Sequence, residues 1–449
     1  MKHSLLLFAL FLGSILFMGC NETQSEFTPS ESDLVSLLES RSPTGDLEGL
    51  MLPSSYNYSM IPQDTRNEIT KYKVELGKLL FNETALSINP KNVISIGTYS
   101  CASCHHSAAG FQSGLRQGIG EGGLGFGLKG EGRVRNGTCA DEEVDIQPLK
   151  SPSALNIAYQ TNILWNGQFG ANGLNVGTES HWKLGTPIAV NHLGYDGVET
   201  QAIAGFDVHR LGTNIDLLKK DPYKSYFEKA FPQYGPVENL ATKKLVELIG
   251  LAIAAYERTL LADLAPYQQW LKGSQNALTE NQKEGMRLFF DKAQCYQCHN
   301  GPALNSMQFY VQGFEDLKGP DILGGNNQDA NLGRGGFTKN SDDSYKFKVP
   351  QLYNLKDARF YGHGASFTSI QQVVEYMNNA VAENKNVPES MLENSFKPLQ
   401  LTPKEIDQLV DFLTNGLYDA ELQRYDPSFV PSGNCFPNND VVSKKEICE

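Results

Sequence analysis

Two stretches of this chain have the residue types and spacing for covalent cofactor chemistry: Cys101-Ala102-Ser103-Cys104-His105 and Cys295-Tyr296-Gln297-Cys298-His299. In a C-x-x-C-H pentad the two thiols can form thioethers to the vinyl groups of a porphyrin, and the adjacent imidazole can bind its iron. The pair predicts two haem c groups with His105 and His299 as iron ligands. The competing reading of a lone pentad is a redox C-x-x-C, a disulfide, or half of a zinc site that happens to precede a His. Repetition in a chain that starts like an exported protein weakens that reading.

The elements that must position the pentads also repeat. Glu75-Leu76-Gly77-Lys78-Leu79-Leu80-Phe81 has helical apolar spacing and leads to Cys101. Glu284-Gly285-Met286-Arg287-Leu288-Phe289-Phe290 leads to Cys295 and is opened by a capping box at Thr279 and Gln282. Downstream, Pro152-Ser153-Ala154-Leu155-Asn156 is followed by Trp165 and Pro350-Gln351-Leu352-Tyr353-Asn354 by His363, each nine residues after the Asn. Matched offsets predict one ancestral domain copied in tandem. Between the copies, Leu245, Leu248, Ile249, Ala252, Ile253 and Tyr256 fall on a helical period, broken by too many charges for a membrane span. A second capping box, Thr402-Pro403-Lys404-Glu405, opens a helix with Ile406, Leu409, Val410, Phe412 and Leu413 on one side. Strand signals are sparse, so the expected class is mainly α: two tandem cytochrome c-like domains with long loops.

A length of 449 residues predicts two or three domains, and 40% apolar with 20% charged residues is a globular composition. The formal charge of -13 argues against nucleic acid or an anionic membrane surface as partner, and suits a basic redox partner. Lys2 and His3 precede an apolar run from Leu5 to Met18 that is too short to span, which reads as an export signal over 1–19. Cys20 after Gly19 resembles a lipobox, so a lipid anchor at Cys20 on the periplasmic side of a bacterial membrane is expected, with 20–65 as a Ser-, Glu-, Pro- and Thr-rich tether. The remaining divisions are 66–235 and 276–430 for the two haem domains, 236–275 for an interdomain helix, and 431–449 for a tail. Export permits a disulfide, and Cys435 with Cys448 closes a short loop in that tail. Cys139 is left as a partly buried thiol without chemistry.

Taken together, these residues resemble the di-haem cytochrome c peroxidase family, which includes the MauG-type enzymes. The resemblance runs from about Glu75 to about Leu417. It rests on the two leading helices, both pentads, P-S-x-L-N, Trp165-Asn166-Gly167, Glu257-Arg258-Thr259-Leu260, Gly333-Arg334, K-V-P-x-L-x-N and Val373 to Met377.

The resemblance implies unequal haems. Met377 matches the sixth ligand of the C-terminal, electron-transfer haem, opposite His299; such a thioether raises the reduction potential. His105 has no matching partner, because the family's Ile-Gly-His segment reads Ile119-Gly120-Glu121 here, so the N-terminal haem is the expected peroxidatic site. Gln201-Ala202 matches a distal segment whose following Glu is missing; His209 with Arg210 is the first replacement for the acid/base and Glu121 the second, with Gln201 orienting the bound ligand. His106 is expected at the surface or beside the ligand shell. Trp165 matches an electron relay between the haems, and His363 is expected to bond a propionate. A calcium ion between the domains is doubtful, since Lys150 stands where the family has an Asn.

The activity so implied is reduction of hydrogen peroxide to water with electrons from a small c-type cytochrome or cupredoxin, in a possible homodimer. The alternatives are a MauG-like oxidase that modifies a protein or peptide, against which the retained Met377 counts, and an electron-transfer cytochrome without substrate chemistry.

Overall fold

The structure is a computed structural model in which residues 29–325 and 327–449 are described. The export signal and Cys20 lie outside the described residues. Seven helices organise the fold: α1 (Pro29–Arg41), α2 (Lys71–Asn82), α3 (Gly197–Val208), α4 (Thr242–Arg258), α5 (Glu280–Phe290), α6 (Ile370–Asn379) and α7 (Pro403–Asp411). The strands are short. Gly123–Leu124 pairs antiparallel with Val134–Arg135, and Phe309–Tyr310 with Phe347–Lys348.

Both predicted capping boxes form. Gln282 N donates to Thr279 Oγ1 at 3.2 Å and Thr279 N to Gln282 Oε1 at 3.0 Å; Glu405 N donates to Thr402 Oγ1 at 3.3 Å and Thr402 N to Glu405 Oε2 at 2.8 Å. Each box satisfies two amides that a helix start leaves without a partner.

The tandem copies close in the same way. In the first, α2 crosses α4 where Gly77 meets the backbone: a Cβ there would lie 2.0 Å from the Ala252 carbonyl oxygen. In the second, α5 crosses α7 at Gly285, whose Cβ would lie 2.1 Å from the Gln408 carbonyl oxygen. One turn on, Phe81 meets Tyr256 edge-to-face at 5.3 Å and Phe289 meets Phe412 at 5.8 Å. Helix α4, expected to lie between the domains, is therefore the closing helix of the first copy, and the reason is the glycine that lets two backbones touch.

The two Asn residues of the repeated motif do equivalent work. Both adopt the left-handed conformation that Asn tolerates better than other non-glycine residues, φ 57 at Asn156 and 54 at Asn354. Asn156 N donates to Leu260 O at 2.7 Å and its Oδ1 accepts from Ala262 N at 3.0 Å; Asn354 N donates to Leu417 O at 3.0 Å and its Oδ1 accepts from Asp419 N at 3.2 Å. The second closing helix carries one residue more between Phe412 and Leu417 than the first carries between Tyr256 and Leu260, and a π-turn over Phe412–Gly416 absorbs it.

One apolar core runs through both copies. It also takes in Leu34, Leu38, Leu50, Leu52 and Ile61, each at most 2% exposed, from the segment expected to be a tether. Lys283 Nζ pairs with Glu31 at 2.7 Å across the same contact. Residues 29–65 are thus packed structure: a Leu or Ile at intervals in a polar stretch secures it, at roughly 1.5–3 kcal/mol per buried side chain. Cys435 and Cys448 are bonded, and the tail folds back on the first copy. Asn439 N donates to Thr98 O at 2.9 Å, and Ser100 Oγ donates to Pro437 O at 3.0 Å, next to Cys101. Cys139 is buried against Ile119 and Val144. Among the described residues no helix is long and apolar enough to cross a membrane.

Candidate functional site

Each pentad opens with a short 3-10 turn, Cys101–Ser103 and Cys295–Gln297, that brings its His under the copy's own Pro-containing motif. His105 Nδ1 lies 3.2 Å from Phe111 O, and His299 Nδ1 lies 3.1 Å from both Leu304 O and Pro350 O. A carbonyl can only accept, so Nδ1 carries the proton in both rings and Nε2 is left bare for a metal. Phe111 and Leu304 reach these positions with φ of 57 and 46, a local strain that turns the carbonyl toward the imidazole. Burial pushes both imidazoles down to about 4, so both are neutral at pH 7.

The cysteines Cys101, Cys104, Cys295 and Cys298 form no disulfide. Burial pushes the thiols of the first three up to about 12, so they are protonated at neutral pH. A cavity of about 410 Å³ runs from His105 to His299 and is lined also by Cys295, Cys298, Trp165, Gln201, His363 and Met377. Cys295 and Cys298 line the cleft with His299, while at the other end His105 lines it and Cys101 and Cys104 of the same pentad are not part of its wall. Each pentad still supplies two thiols and an imidazole with bare Nε2, the donor set that fits a haem c group.

The wall differs between the ends. Met377 comes from α6, whose Ile370, Val373 and Val374 line the cavity with it at helical spacing. At the first end stand Gln201 from α3 and Glu257 from α4. Glu257 is 6% exposed, and its Oε2 has no hydrogen-bond partner among the described residues. Burial, then the neighbouring Glu199, push its carboxyl up to about 8, with Arg258 opposing. Arg258 is already committed to Glu199 through bonds of 2.8 and 2.6 Å, so Glu257 is a neutral acid at pH 7. The Glu257-Arg258-Thr259-Leu260 motif gives this residue no role; its signal is a carboxylate that directly follows the apolar run Leu248 to Tyr256 in α4.

The proposed acid/base residues form a neighbouring cluster behind the cavity wall. His209, which caps α3, donates Nδ1–H to Asp145 Oδ2 at 2.8 Å; burial lowers its pKa, but Asp145 outweighs this and raises it overall. Arg210 pairs through Nε with Glu121, a residue with no exposed surface, which also accepts from Asn92 N at 2.8 Å. Glu121 is thus held as the partner of Arg210. His209 keeps Nε2 free and lies near enough to His105 to help depress it. His106, expected at the surface or near the ligand shell, is 6% exposed, with both ring nitrogens unpartnered among the described residues and its ring edge-to-face with Phe126 at 4.8 Å. It packs as an apolar ring.

Trp165 lines the cavity where the two copies meet, its carbonyl accepting from Lys348 N at 2.8 Å. Its Nε1 donates to Lys150 O at 2.8 Å, and its ring meets His363 edge-on at 6.2 Å. His363 is 3% exposed and stacks on Phe347 at 3.6 Å; its Nε2 is 3.7 Å from Asp316, too far for a hydrogen bond. Lys150 and Lys348 also line the cavity. Motif reading noticed the first as a departure and the second as part of K-V-P.

Comparison with known proteins gives a consistent picture. A family model described as di-haem cytochrome c peroxidase matches residues 71–276. The chain is 27% identical to cytochrome-c peroxidase IdrP1 of Pseudomonas sp. (strain SCT), over 82% of this chain and 86% of that protein. It is also 27% identical to the methylamine utilization protein MauG of Methylorubrum extorquens, over 79% and 80%. Among solved structures, a MauG-like protein associated with microbial copper homeostasis superposes with a TM-score of 0.54 at 22% identity, covering 83% of this chain and 95% of that one.

Proposed function

The chain belongs to the di-haem cytochrome c peroxidase and MauG family, and from that premise we propose that it reduces hydrogen peroxide to two waters, taking two electrons from a small redox protein and two protons from its own residues. The observation that carries this reading is the cavity that reaches both His105 and His299 and has unlike walls at its two ends, with Trp165 in its lining. When bound, the two haems supply the redox chemistry. His105 would hold one iron through Nε2, and His299 through Nε2 together with Met377 would hold the other.

That assignment leaves the first end for substrate, and the residues there are suited to it. Gln201 offers an amide to orient a small polar ligand, Glu257 offers a proton that it holds at neutral pH, and His209, steadied by Asp145, can relay or take up a proton through Nε2. Trp165 lies on the route between the two ends, and its indole N–H is pinned by the Lys150 carbonyl, so its ring is held in one orientation. The group held by His299 and Met377 would take up the donor's electrons, and the group held by His105 would supply the peroxide chemistry. The chain acts in the periplasm, anchored by lipid at Cys20.

A MauG-like oxidation of a protein or peptide is the second reading, favoured by equal identity to IdrP1 and to MauG and by the missing distal Glu. The test is peroxide addition to the holoprotein with a reduced donor protein, followed by donor absorbance. Rapid, repeated donor oxidation supports the peroxidase; slow oxidation with a long-lived oxidised form supports the MauG-like reading. No reaction under either condition, with both haems present, leaves an electron-transfer cytochrome.

A further inference from the structure

Lys150 and Lys348 occupy the same place in the two copies, two residues before the Pro of the repeated motif. The structure relates them by a local two-fold. Lys150 N donates to His363 O at 2.9 Å, and Lys348 N donates to Trp165 O at 2.8 Å; His363 and Trp165 are themselves equivalent positions. The lysines thus clasp the seam between the halves, each by binding the backbone of the opposite copy.

Their side chains share a predicament. Lys150 is 5% and Lys348 6% exposed. The Nζ of Lys150 donates to Gln112 Oε1 and that of Lys348 to Gln160 Oε1, both neutral acceptors. Neither makes an ion pair among the described residues, and burial alone pushes both ammonium groups down to about 7. A buried cation with three donors and no counter-charge is one of the more expensive arrangements in a protein interior. An apolar side chain of similar volume would serve packing better. Both lysines face the cavity, so the missing anion belongs there.

Haem c carries two propionate carboxylates and is the anion that this cavity is shaped to take. We propose that Lys150 and Lys348 are the internal counter-ions of the haem propionates at the domain seam, Lys150 for the N-terminal haem and Lys348 for the C-terminal haem. The allocation follows the chain. Pro152, two residues after Lys150, presents its backbone to His105, and Pro350, two after Lys348, accepts from His299 at 3.1 Å. Each lysine therefore travels with the motif that holds its own copy's iron ligand. The pairing places one positive charge beside each haem on either side of Trp165, where it favours the reduced form. It rests on haem at both pentads and is independent of what is done with peroxide.

The test is potentiometry of the holoprotein, following each haem by its own visible band. Lys150→Met is expected to shift the reduction equilibrium of the N-terminal haem toward the oxidised form by tenfold or more, 59 mV for one electron, with the C-terminal haem changed much less. Lys348→Met should do the reverse, and Lys150→Arg and Lys348→Arg should stay near the parent. Unchanged potentials in both Met variants, or equal shifts in the Arg variants, overturn the proposal. Should the Met variants fail to mature, the parent protein labelled with nitrogen-15 at lysine Nζ decides. Two charged, slowly exchanging ammonium signals that move on haem reduction support the pairing, and two neutral amines overturn it. A haem stain showing fewer than two haems removes the premise itself.

Discussion

Gly77→Ala should damage the first haem domain although alanine is the better helix former. The new Cβ would lie 2.0 Å from Ala252 O, 2.6 Å from Ala252 C and 2.9 Å from Tyr256 Cβ. An ordinary carbon–oxygen contact is about 3.3 Å, so α2 and α4 must part by about 1.3 Å at the crossing, and both obstacles are backbone or the root of a side chain. Overpacking of this kind costs about 1–3 kcal/mol, and a displacement this large belongs at the top of that range. Alanine returns about 1 kcal/mol of helix propensity, leaving a net loss near 2 kcal/mol. Gly205→Ala is the control, because in α3 the added Cβ meets nothing closer than His209 Cδ2 at 3.8 Å; that change should be neutral or stabilise by up to ~1 kcal/mol. Urea titration of the holoproteins, read by far-ultraviolet circular dichroism and by the haem band, compares the two directly. The crossing also positions Cys101, so the haem band of Gly77→Ala should shift before unfolding. If Gly77→Ala is as stable as Gly205→Ala, the close crossing is not what closes the domain.

Glu257→Gln keeps the shape and loses the proton: peroxide turnover should fall by about 10²–10⁴, and the alkaline limb of the parent's kcat/KM profile, expected near pH 8 where the carboxyl loses its proton, should vanish. The same shift makes the parent less stable as pH rises from about 4.5 to about 8, because the unfolded carboxyl ionises first; the Gln variant should lose that slope in thermal melts. Replacing Cys435 and Cys448 by Ser opens a loop of 13 residues in sequence separation, worth roughly 3 kcal/mol in the chain-entropy account. It should also raise hydrogen exchange at Phe126 and Gly127, whose amides donate to Glu446 of the tail, while leaving α5 and α7 unchanged. Chelation of calcium should leave the haem spectra and peroxide turnover unaltered, because the Lys150 ammonium sits where an added cation would be repelled; loss of turnover in EGTA that calcium restores would refute this.

Sequence alone determined the repeated parts. The pentads and the two capping boxes are local patterns, and local physics turns them into the same turns and helix starts twice. The leading glycines and the Asn of each motif mark repeated positions whose partners, Ala252 and Ala262 in the first copy, only the fold supplies. The family resemblance points to Met377 as the second pentad's partner, and the fold brings it to the same cavity as His299. Where residues distant in sequence must meet in a dry space, the pattern fell silent. Residues 29–65 look like a polar tether until Leu34, Leu38 and Leu50 find a core to enter. Glu121 looks like a free distal acid until Arg210, 89 positions away, claims it. Sequence places Glu257, Lys150 and Lys348 in or beside motifs without giving them a role, and only the tertiary fold, by burying them around one cavity, makes their protonation and pairing matter: the energy of a charge depends on what surrounds it, and composition and spacing do not record that.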